Sequence, residues 1–145
     1  MDMSIPNVMQ AALEHHQAGR LPQAEAIYRQ VLQVAPSHPD ALHLLGVIAR
    51  QFGKNEMAVE LISKAIRMNP SGFMYCSLGA ALKNQGKLDA AVESYRSALS
   101  IGPDFAEVHY NLGLVLQEQC KLDAAVESYQ RALSIKPDFA EAHSN

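Results

Sequence analysis

The sequence predicts an all-α protein built from stacked helix pairs. Two observations carry that reading. Leu88 to Glu107 reads LDAAVESYRSALSIGPDFAE and Leu122 to Glu141 reads LDAAVESYQRALSIKPDFAE, identical at 17 of 20 positions and offset by 34 residues. Prolines then recur at Pro36, Pro70, Pro103 and Pro137, and alanines at Ala24, Ala58, Ala91 and Ala125, each series with gaps of 34, 33 and 34. A fixed period in that range marks a chain of small supersecondary units.

Each period holds two helical patterns. Ala106 to Gln119 places Val108, Leu112, Val115 and Leu116 on one face, the spacing of an amphipathic helix. Asp123 to Ile135 does the same with Ala125, Tyr129, Ala132 and Leu133, and Asp123 is expected to cap that helix. Pro137 then stops continuation. Between the helices stand Gly19, Gly53 and Gly86, with Cys120 in the fourth slot. A helix that ends in the left-handed conformation favours glycine there, so the turn at Cys120 is expected to differ. Gly46, Gly79 and Gly113 form a second series, each after a leucine, and are expected to let paired helices approach closely. Tyr28, Ile62, Tyr95 and Tyr129 fill the matching place on the second helices. The one gap of 33 always crosses the joint between Pro70 and Gly79, so one residue has been lost there, in a linker where loss costs little.

At these spacings the series resemble the tetratricopeptide repeat. The resemblance covers four units, 5–38, 39–71, 72–105 and 106–139, in a single domain. Residues 140–145 open a partial fifth. Ala12 takes the place of the first-helix glycine in the first unit. The resemblance implies a right-handed α-α superhelix whose first helices line a concave face.

AEVHYNLG (106–113), AEAHSN (140–145) and HPDALHLLGVIARQFG (38–53) are similar to the repeats of bacterial O-linked N-acetylglucosamine transferases. That narrower resemblance implies an asparagine ladder along the concave face. Asn111 and Asn145 match it, whereas Gln10, Leu44 and Ser77 depart from it.

Composition excludes several functions. Lys plus Arg is 12 and Asp plus Glu is 15, for a net charge of −3, which argues against nucleic acid as a partner. No run of 18 apolar residues is present to span a membrane, and MDMSIPNVMQ is no secretory signal. Cys76 and Cys120, 44 residues apart, form no metal or redox motif, which fits a reducing, cytoplasmic setting. No metal site is expected, since His15 and His16 point about 100° apart on a helix and His109 and His143 repeat as packing positions. No cofactor motif appears, and Asp89 with Glu93 recurs as Asp123 with Glu127, the mark of a repeat rather than of an active site. No catalysis is expected of this chain.

The expected function is protein binding. Helix phase directs Gln10, His43, Leu44, Val47, Phe73, Cys76, Ser77, Tyr110, Asn111 and Leu114 toward the concave face, with Asn145 joining them if the fifth unit forms. Met9, Leu13 and Ala80 share that phase. Apolar patches with scattered hydrogen-bonding groups suit a protein or an extended peptide laid in a groove. A carboxylate clamp of the kind that grips acidic chaperone tails is excluded, because Met9, Leu13, Leu44, Phe73 and Ser77 stand where cations would be needed. The alternative is the substrate-recruiting part of a glycosyltransferase whose catalytic domain this chain lacks. An uncovered last helix, presenting Val126, Tyr129 and Leu133, is expected to promote self-association through the C-terminal end.

Overall fold

A computed structural model describes residues 4–102 and 105–138. The helices are α1 Ile5–Gln17, α2 Leu21–Val34, α3 Pro39–Gln51, α4 Asn55–Met68, α5 Gly72–Asn84, α6 Leu88–Ile101, α7 Ala106–Glu118 and α8 Leu122–Ile135. No strand occurs among the described residues. The helices pack in pairs, α1 with α2, α3 with α4, α5 with α6 and α7 with α8. The chain divides into two compact units, Met1–Pro70 and Ser71–Asn145, each holding two pairs. The partial fifth unit, 140–145, lies outside the described residues.

Helix boundaries follow local chemistry. His38 caps α3, its Nδ1 accepting from the Ala41 amide at 3.1 Å, and Ser71 caps α5 through Oγ and the Met74 amide at 3.2 Å. Pro6, Pro22 and Pro39 sit in first turns, where no amide hydrogen is required. The expected Asp123 cap is not formed. Lys121 holds the N-cap position of α8 without a side-chain bond, and Asp123 lies inside the first turn. An acid there still meets the positive end of the helix dipole.

The turns within pairs share one hydrogen-bond pattern. At the end of α3, the Gly53 amide bonds to the Arg50 carbonyl at 2.9 Å and the Lys54 amide to the Ala49 carbonyl at 2.8 Å. These are the two bonds of a Schellman motif, with its pivot in the left-handed region. Gly19, Gly53 and Gly86 have φ of 80°, 80° and 78°. Cys120 adopts the same conformation, φ 62°, with the same pair of bonds, its own amide to Gln117 at 3.0 Å and that of Lys121 to Leu116 at 2.9 Å. The expectation of a different turn is therefore corrected. Helix packing on both sides holds the motif, and Cys120 carries the strain.

Close approach within pairs explains the second glycine series. A Cβ on Gly46 would lie 2.6 Å from Ile62 Cγ1, on Gly79 2.6 Å from Tyr95 Cε1, and on Gly113 2.6 Å from Tyr129 Cε1. In the first unit Ala12, Ala24, Tyr28, Leu45 and Ile48 form the buried centre, with Met9, Leu44 and Leu61 packed against it. In the second, Ala91, Tyr95, Ala98, Val108, Leu112 and Val115 are buried.

Candidate functional site

The residues expected on the concave face fall on two separate units. In the first, Gln10 on α1 is exposed and Val47 on α3 is half-buried. Leu44 packs on the core, and His43 is only 9% exposed. Burial pushes the His43 imidazole below its usual pKa, partly opposed by Asp40 and reinforced by His16. His43 thus belongs to the packing of α3 more than to an open face. Beside it, His16 Nε2 on α1 lies 2.9 Å from Gln51 Oε1 on α3.

In the second unit the expected residues divide between two helices. Phe73, Cys76, Ser77 and Ala80 lie on α5, and Tyr110, Asn111 and Leu114 on α7. The Asn111 amide donates to Cys76 Sγ at 4.0 Å, joining the two helices. Phe73 is 67% exposed and meets Phe105 edge-on at 4.9 Å between ring centres. Tyr110 lies 5.6 Å from Tyr129, whose hydroxyl donates to Gln117 Oε1 at 2.7 Å. Asn145 lies outside the described residues.

The α5–α7 face extends beyond the residues expected from sequence. Lys83 Nζ pairs with Glu118 Oε1 at 3.8 Å, closing the C-terminal end of the face with two charges. Both follow the helical phase, seven residues after Cys76 and Asn111, so the signal was present in the spacing. Chemically the face offers an apolar end at Phe73, a weakly engaged amide in its middle and a charged end. Sulfur is a poor acceptor, so Asn111 can exchange its contact for a carbonyl at little cost.

Among the described residues no group of three or more His, Cys, Asp or Glu side chains could hold a metal ion, and no helix is long and apolar enough to cross a membrane. Neither Cys76 nor Cys120 is part of a disulfide.

Profiles described as tetratricopeptide repeat match residues 9–73 and 106–139, and a profile described as TPR repeat matches residues 79–119. This chain is built of tetratricopeptide repeats. It is 29% identical over 90 residues to the peroxisomal targeting signal receptor of Saccharomyces cerevisiae, an overlap of 59% of this chain and 15% of that protein. It is 30% identical over 98 residues to the protein O-mannosyl-transferase TMTC1 of Mus musculus, an overlap of 64% and 10%. The chain thus spans a small part of either relative's length. The crystal structure of MamA superposes with a TM-score of 0.81 at 27% identity, over 98% of this chain and 80% of that one.

Proposed function

We propose that this protein is a non-catalytic binding module that holds a partner protein or extended peptide, and that the α5–α7 face is its concave contact surface. The observation that carries the reading is that α5 and α7 present an exposed Phe73 and an Asn111 side-chain amide that donates to a weak acceptor, Cys76 Sγ. An aromatic anchor beside an amide suits a chain that needs one apolar pocket and main-chain hydrogen bonds. The resemblance to a targeting signal receptor supports a peptide as the ligand. On the first unit, by itself, Gln10 and Val47 are proposed contact residues as well. The test is capture of partners from extract on immobilised protein, comparing the native chain with Phe73→Ala and Asn111→Ala. Both variants should lose partners while melting near the native temperature. Retention of the same partners by both variants would end this assignment of the face.

A second reading is favoured by the similarity to a protein O-mannosyl-transferase. Here the repeats recruit substrate for a glycosyltransferase domain encoded elsewhere in the same gene, in line with the transferase-like repeats noted in the sequence. Sequencing the gene beyond Asn145 tests it directly. Self-association rests on α8, where Val126 is 52% exposed while its equivalent Val92 on α6 is 6% exposed. Sedimentation across a wide concentration range should then show species heavier than 15.8 kDa.

A further inference from the structure

A cleft of about 250 Å³ opens in the second unit among α6, α7 and α8. Leu99, Leu112 and Leu116 give it an apolar floor, and Arg96 and Arg131 line it from α6 and α8. Both arginines are exposed, and neither forms an ion pair among the described residues. Glu127 is the single acid in the lining, so the cleft carries an excess of one positive charge in a chain of net charge −3.

The sequence around these arginines departs from the repeat in a telling way. α6 reads LDAAVESYRSALSI and α8 reads LDAAVESYQRALSI, so the two helices differ at two positions only. At the first, Arg96 faces Gln130 across the period; at the second, Ser97 faces Arg131. Residue 96 lines the cleft and residue 97 does not, whereas residue 131 lines it and residue 130 does not. One residue turns a helix by about 100°. The cleft meets α6 on one side and α8 on another, so the position that lines it shifts by one. In both helices the arginine occupies the lining position.

We propose that this cleft is a second binding site, for a short acidic peptide segment in which an aliphatic side chain lies beside carboxylates. Each guanidinium can take a carboxylate in a two-bond fork. The floor takes the aliphatic side chain. The volume falls below the roughly 300–1,000 Å³ of small-molecule sites, which fits one or two anchoring side chains better than a cofactor. Two arginines beside a glutamate do not supply the run of cations that nucleic acid requires. This site is independent of the α5–α7 face.

The test uses a fluorescein-labelled peptide, Gly-Ser-Glu-Leu-Leu-Glu-Gly-Ser, and a control with Lys in place of Glu. Binding is followed by fluorescence anisotropy at low salt. Arg96→Gln and Arg131→Ser give each helix the residue its sister already carries, so the fold is preserved. The native protein should bind the acidic peptide and not the control. The double variant should bind it about tenfold or more weakly, as expected for lost charge-assisted hydrogen bonds. Asn111→Ala should bind it as the native chain does. Undiminished binding by the double variant overturns the proposal, as does weakening by Asn111→Ala alone, which would place the peptide on the other face. Failure of the native protein to bind, or displacement of the peptide by single-stranded DNA, also overturns it.

Discussion

The two units solve one packing problem with different atoms. In Ser71–Asn145 both first helices carry glycine against a tyrosine ring, Gly79 on Tyr95 and Gly113 on Tyr129. In Met1–Pro70 one pair sets Gly46 against Ile62, and the other places Ala12, fully buried, in the first-helix slot whose counterpart is Tyr28. The repeat therefore does not require glycine as such. It requires a small residue on the first helix, glycine in three pairs and alanine in the fourth, where the second helix sets a large side chain. The same lesson holds at the turns, where three glycines and one cysteine make the same two hydrogen bonds.

The largest effect that can break this comparison is expected from Gly79→Leu. Even a Cβ would sit 2.6–2.9 Å from three atoms of the Tyr95 ring, which is buried and cannot swing away. Overpacking of this kind costs about 1–3 kcal/mol, read as a lower denaturation midpoint. Gly79→Ala should cost less, since the first pair lives with an alanine. Equal stability of Gly79→Leu and the native chain would show that the contact yields freely. A smaller effect of opposite sign is expected at the turn. Cys120→Gly removes a side chain from a left-handed position, which costs non-glycine residues about 1–2 kcal/mol, so the midpoint should rise. Gly86→Cys should lower it by a similar amount. If Cys120→Gly gains nothing, the strain at φ 62° is already relaxed by the surroundings.

Sequence spacing made the repeats, the helix pairs and the close glycine contacts legible, because all three recur with the period of 34. It did not reveal the links between successive first helices. Those join residues 35 apart: His16 with Gln51, Cys76 with Asn111, Lys83 with Glu118. Comparing equivalent slots, as periodicity does, misses contacts that run from one slot to the next slot plus one. Caps were misread for a related reason. Asp123 looks like an N-cap by residue type, yet Lys121, two residues earlier, holds that position, and Asp89, at the equivalent place in α6, accepts from Gln119 Nε2 at 2.6 Å. His43 was placed on an open face by phase alone, while burial depends on what the neighbouring helix covers. The arginines of the α6–α8 cleft depart from the repeat in sequence, but only the fold sets them in one cavity.

His43 gives the comparison a dependence on pH. Its folded pKa lies below the unfolded value near 6.5, chiefly through burial. Between those two values the unfolded chain binds more protons, so stability rises with pH. Stability is therefore full above about pH 6.5 and declines as pH falls through the folded pKa. The second unit has no buried histidine among its described residues. His43→Asn should flatten the acid side of a melting-temperature profile. An unchanged acid side in that variant would remove His43 as the source.

The smallest expected effect separates two tyrosines in the same slot. Tyr28 is fully buried, and its hydroxyl has no hydrogen-bond partner among the described residues. Burial pushes its pKa up to about 12. Tyr129 is only half-buried, and its hydroxyl donates to Gln117 at 2.7 Å. A buried polar group left unsatisfied costs about 1–3 kcal/mol, while a formed bond contributes about 0.5–1.5 kcal/mol net. Tyr28→Phe should therefore leave stability unchanged or raise it, since the ring still packs edge-on against His16 at 6.2 Å. Tyr129→Phe should lower it by about 0.5 kcal/mol, the low end for a bond near solvent. The alkaline limb distinguishes them further. Above about pH 10 the unfolded chain releases the Tyr28 proton first, and the folded chain keeps it until about 12. The folded state then binds more protons, so stability falls as pH rises across that window. Tyr28→Phe should flatten this fall, and Tyr129→Phe should flatten it less, because its raised pKa comes from a weaker burial with Tyr110 nearby. A clear loss of stability in Tyr28→Phe at neutral pH would show that its hydroxyl is satisfied after all. The two pairs would then differ in residue identity alone.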